Sequence, residues 1–67
     1  MKVKVIWDRD NEGWYARFDL PWGGEMDEGL GDVPKDATDT ELLRAAKWAV
    51  IWNGVELHND VEMEIIR

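Results

Sequence analysis

An α+β domain is predicted, in the order strand, strand, short strand, helix, strand (β-β-(β)-α-β), with one helix on one face of a mostly antiparallel three- to four-stranded sheet. Three observations predict it. The stretch from Thr38 to Gly54 repeats apolar residues at helical spacing. Lys2 to Trp7 and Asp60 to Ile66 instead alternate apolar and polar residues, as half-buried strands do. An Asp- and Gly-rich turn then joins the first of these strands to an aromatic one. The 67 residues make a single domain, 1–67, and a chain this short buries only about 60% of the surface that its unfolded form exposes. Its margin of stability is therefore thin.

Each element has a local cause. In the first strand Val3, Val5 and Trp7 share one side and Lys2, Lys4 and Ile6 the other. Asp8 to Gly13, DRDNEG, turns the chain, and Trp14 to Phe18, WYARF, follows directly, so these two strands form an antiparallel hairpin. Asp19-Leu20-Pro21-Trp22-Gly23-Gly24 breaks the second strand, because Pro21 lacks a ladder donor and two glycines favour irregular backbone. From Glu25 to Ala37 the glycines at 29 and 31 and Pro34 leave room for one short strand, near Glu25 to Leu30 or around Leu30 to Val33.

The helix carries its own boundaries. Thr38 serves as N-cap with Glu41 in capping-box register, and Asn53-Gly54 supplies the residue types that a left-handed stop needs. Leu42, Leu43, Ala46, Ala49 and Val50 form the face that lies on the sheet. Trp48 and Trp52 stand four apart on an adjoining side with Ala45, beside a narrow polar stripe of Glu41, Arg44 and Lys47. They are expected to be core residues wrapped by loops, the alternative being a partner surface. In the last strand Val61, Met63 and Ile65 alternate with Glu62, Glu64 and Ile66. Its outward glutamates match the outward lysines of the first strand, so the two are expected to be neighbours.

Charge is distributed unevenly. The formal net charge is −7, which argues against binding nucleic acid or anionic lipid directly and favours a basic partner. Between Glu25 and Glu41 lie seven acids against one base, Lys35, a net of −6. Eight acids and seven bases elsewhere leave −1. A solvated loop that keeps the chain soluble is one explanation. The other is that Glu25, Asp27, Glu28, Asp32, Asp36 and Asp39 imitate the charge spacing of phosphates and occupy a basic nucleic-acid cleft, with Trp22 or Trp48 as apolar anchor.

Several classes of chemistry have little to work with. The sequence contains no Cys and no Ser, so neither a disulfide framework, a thiolate metal site nor the usual nucleophiles can be assembled. Its one histidine, His58, is expected to be exposed or at a strand edge. Asp8-x-Asp10-x-Glu12-Gly13, with Asp19 at the twelfth position, resembles the ligand spacing of an EF-hand calcium loop, but the flanks read as strands and turn chemistry accounts for the same residues. Neither an enzyme nor a cofactor is expected, since so small a domain offers little concave volume. No run of about 18 apolar residues is present, and MKVKVIWDRD lacks the apolar region and cleavage site of a signal peptide. A cytoplasmic location is expected.

Two resemblances sharpen these expectations. Gly13-Trp14-Tyr15-Ala16, then Asp19-Leu20-Pro21 and Gly23-Gly24, then an Ala-rich helix, resembles the N-terminal half of HicB-type antitoxins over roughly Val3 to Val50. That family has a strand hairpin, an aspartate-leucine-proline-glycine corner, a third strand and a helix, and the resemblance implies an RNA-cleaving toxin as partner. The chain departs from it by Trp22 in the corner, by the acidic insert from Glu25 to Ala37, and by having no DNA-binding segment after the helix. In size, acidity, absence of cysteine and concentrated acidic stretch, the whole chain is similar to small phage-encoded anti-CRISPR proteins of the type I class. This second resemblance implies a DNA mimic that, inside a bacterial host, blocks the DNA-binding or PAM-reading surface of a CRISPR-Cas interference complex.

Overall fold

A computed structural model describes residues 1–57 and 61–67. Its elements are β1 (Lys2–Asp8), β2 (Gly13–Asp19), β3 (Glu25–Gly29), α1 (Asp39–Trp52) and β4 (Glu62–Ile66). The expectations for His58 and for Asp60 as the first residue of the last strand lie outside the described residues. The four strands make one sheet in the order β3-β2-β1-β4, and α1 covers its centre. This is the predicted α+β architecture, with the sheet antiparallel except at β1 and β4.

The hairpin of β1 and β2 pairs Val3 with Phe18, Val5 with Ala16 and Trp7 with Trp14. Those residues share one face, and Val3, Val5, Trp14, Ala16 and Phe18 are buried. The indoles of Trp7 and Trp14 meet edge to face, with centroids 5.3 Å apart, a favoured arrangement for an aromatic cross-strand pair. The turn is closed by Asp8, whose carboxylate accepts the backbone N–H groups of Asp10 (3.0 Å) and Asn11 (3.4 Å) and the Asn11 side-chain amide (2.7 Å). The short strand takes the first of its two predicted positions: β3 runs antiparallel to β2, with Arg17 opposite Asp27 and Phe18 opposite Met26.

The expected neighbours are neighbours. Glu62 stands opposite Lys2 and Glu64 opposite Lys4, and the pairing is parallel. Parallel strands require a crossover, and here β2, β3 and α1 lie between β1 and β4 in the chain.

At the start of α1, the Thr38 hydroxyl accepts the Glu41 backbone N–H (3.2 Å) and donates to the Glu41 carboxylate (3.1 Å). At its end, Gly54 takes φ +82°. Gly54 N–H then bonds Ile51 O (2.9 Å) and Val55 N–H bonds Val50 O (3.3 Å), the two bonds of a Schellman stop. Leu42, Ala46, Ala49 and Val50 are buried on the sheet, and Val55, buried beside them, continues the core past the stop. Leu43 is half-buried. No helix is long and apolar enough to cross a membrane among the described residues.

Candidate protein-interaction surface

The helix lies over β1 and β2, so its Trp48 side overhangs the margin of the sheet where β3 runs. There the expectation that the tryptophans are wrapped by loops fails. Trp48 is 66% exposed and Trp52 83% exposed. The physical reason is the width of the layer: one helix centred on two strands buries only the stripe containing Leu42, Ala46 and Val50, and the chain after β3 passes along the N-terminal half of α1. Trp48 and Trp52 instead form one wall of a shallow cleft of about 260 Å³ whose other wall is Glu28, Gly29 and Leu30. These two side chains leave apolar surface on the order of 300 Å² in water, enough to rank with the largest patches of ordinary monomers. Trp52 belongs to the surface as much as Trp48, a residue that the sequence reading paired with it but did not include among the contacts. The spacing of four was the available signal.

The acidic stretch does not form one row. Along β3, strand alternation sends Glu25 and Asp27 to the open face of the sheet and Glu28 to the helix side. On the open face Arg17 donates to Asp27 through Nε (2.8 Å) and Nη2 (3.1 Å) and stands 3.6 Å from Glu25. Those hydrogen bonds hold the Asp27 carboxyl below its ordinary range and push the Arg17 guanidinium up. Glu28 lines the tryptophan cleft. Asp32 lies on the far side of Trp48, in a groove shared with Val33, Pro34, Glu41 and Arg44. Asp36 is exposed in the loop before the helix. Asp39, in the first turn of α1, is bonded by Arg67 (2.6 Å). Among the described residues, Glu28, Asp32 and Asp36 thus form no ion pair, while Glu25, Asp27 and Asp39 each face an arginine.

The loop that carries these acids is held in place. Leu30 N–H bonds Trp14 O (2.9 Å), and the Trp14 indole N–H bonds Pro34 O (2.8 Å). Lys35 sits over the Trp7 ring and Arg67 over that of Trp14, while Arg67 also reaches Ala37 O at 3.4 Å. The aromatic pair of the hairpin thus ties the loop down at Leu30, Pro34 and Lys35, and Asp32 and Asp36 lie beside these contacts.

Trp22 stands apart from this surface, in the corner after β2, where Leu20 N–H bonds Gly24 O (2.9 Å) and Gly23 N–H bonds Leu20 O (3.0 Å). It is 66% exposed and lines a larger open cleft of about 640 Å³ with Leu20, Pro21 and Val55, flanked by Lys2 and Asp19. That concavity exceeds what the small size of the domain suggested; it arises where the corner faces the helix exit. In the hairpin turn, Asp8 is engaged by Asp10 and Asn11, and its carboxyl is lowered chiefly by the Asn11 side chain. Among the described residues, no group of three or more His, Asp or Glu side chains is placed to hold a metal ion. Comparison with protein-family models, with curated proteins and with solved structures finds no match to this chain.

Proposed function

We propose that this chain is a small inhibitor that docks onto the basic nucleic-acid-binding surface of another protein and keeps DNA or RNA from it. The observation that carries the reading is the placement of Trp48 and Trp52 beside Glu28 and Asp32, carboxylates that form no ion pair among the described residues. Exposed tryptophans supply the apolar anchor of a strong interface, and carboxylates around them select and steer a basic target. Of the acids that would stand where phosphates sit, Glu28, Asp32 and Asp36 carry the reading best, because Glu25, Asp27 and Asp39 already meet guanidinium groups. The specific target supported by whole-chain character is a type I CRISPR-Cas interference complex in a bacterial cytoplasm, with the inhibitor acting as a DNA mimic. Catalysis and cofactors have no part in the proposal.

The test is displacement of labelled target DNA from a purified type I interference complex, followed by fluorescence anisotropy. The protein is expected to release DNA, less effectively as salt rises. Potency should fall by roughly tenfold or more in Glu28→Lys/Asp32→Lys and in Trp48→Ala/Trp52→Ala. DNA that stays bound at saturating protein rejects this target. A second reading, a HicB-like antitoxin, is supported by the element order of hairpin, corner, third strand and helix. It predicts instead that co-expression rescues growth from a small RNA-cleaving toxin.

A further inference from the structure

The margin of the sheet has an unused edge. β3 is an outer strand, and at the two ends of its ladder Leu30 N–H bonds Trp14 O and Leu20 N–H bonds Gly24 O. With Glu28 opposite Ala16 and Met26 opposite Phe18, antiparallel alternation aims the backbone groups of Met26 and Glu28 at β2. Those of Glu25, Asp27 and Gly29 point away from the sheet. Among the described residues nothing pairs with these three N–H groups and three carbonyls. The tryptophan cleft opens beside the same edge, since Glu28, Gly29 and Leu30 form its wall.

We propose that this edge receives an extended basic segment of the partner as a fifth strand, whose side chains on the helix side enter the Trp48–Trp52 cleft. The inference rests on the inhibitor reading for the basic character of the partner. An added strand satisfies the open backbone groups, and alternate side chains then give specificity on each face. On the open face they pass Glu25 and Asp27; on the helix side they pass Glu28 and the indoles. Charge decides between occupants. Arg17 offsets one charge among Glu25, Asp27 and Glu28, so a second copy would bring together two edges that each stay net negative, on chains of −7 each, and like charges brought together destabilise a strand pair. A segment rich in Lys or Arg meets the same carboxylates favourably. The acids on the edge thus discourage self-pairing and select a basic strand.

The experiment uses a seven-residue peptide in which Lys and Val alternate, an analogue N-methylated on one backbone edge, and amide exchange read by NMR. With the peptide, exchange at Glu25, Asp27 and Gly29 is expected to slow by about tenfold or more, and the methylated analogue should give no protection. Gly29→Pro removes one outward N–H. Gly29 has no left-handed backbone, and the space beside it is open, so the ladder to β2 should survive while peptide affinity drops by about tenfold. Equal binding of both peptides without protection at these amides overturns strand addition and leaves binding by charge alone, which keeps the inhibitor reading. Protection that grows with protein concentration in the absence of peptide assigns the edge to a second copy and overturns the proposal. Absence of peptide binding overturns it as well. The inhibitor reading stands or falls separately in the DNA-displacement assay, where undiminished potency of Gly29→Pro would reject the edge alone.

Discussion

Two arginines decide what the acidic residues can do. Arg17 grips Asp27 with two hydrogen bonds on the open sheet face, and Arg67 joins Asp39 to the carbonyl of Ala37. Both pairs are exposed, so their effect on stability is small and screened by salt. Their pH dependence is still readable. Because Asp27 is held below its ordinary value of 3.8 by Arg17, its contribution to stability is complete above that value and disappears as pH falls through the lower folded-state value. Asp27→Asn should therefore lower Tm slightly at neutral pH and flatten the acid limb of Tm against pH, measured from about pH 6 to about pH 2. Identical acid limbs would mean that the pair does not form in solution.

At the scale of elements, the helix is bounded by local signals, and one of them can be isolated. Gly54 holds φ +82°, and a Cβ built there meets only the Trp22 ring at 3.9 Å, an ordinary contact. Gly54→Ala should thus cost about 1–2 kcal/mol from backbone strain alone, read as a lower urea midpoint with unchanged slope. A change below the error of the melt would show that the chain exits the helix differently. The same locality explains why α1 was legible in advance: the Thr38 cap, the apolar spacing and Asn53-Gly54 all act within a few residues. The hairpin was legible for the same reason. β3 was not fixed in advance, because EMDEG has weak strand propensity and becomes a strand through its pairing with β2. Nor was the division of the acids. Continuity in sequence from Glu25 to Asp39 suggested one row, whereas strand alternation and two distant arginines separate its members in space. The exposure of Trp48 and Trp52 was equally beyond periodicity, which reports that a helix face is apolar but not what covers it.

For the whole molecule, the folded state of a chain this long lies only about 3–10 kcal/mol below the unfolded state in free energy. A sequence with so little margin nevertheless places two of its five tryptophans in water on one side of the helix. If they served the fold, removing them would be felt as a core deletion is. Leu42 gives the scale: fully buried between helix and sheet, its replacement by Ala should cost about 2–5 kcal/mol, a large share of the total. Trp48→Ala and Trp52→Ala, changed outside the core, should each stay within about 0.5 kcal/mol. Urea melts of the three variants at one salt concentration make the comparison. Leu42→Ala alone shifted, with Trp48→Ala and Trp52→Ala near wild type, would mean that the indoles are retained for something other than the core. A cost for the tryptophans equal to that of Leu42 would make them structural in solution, and the interaction surface would lose its anchor.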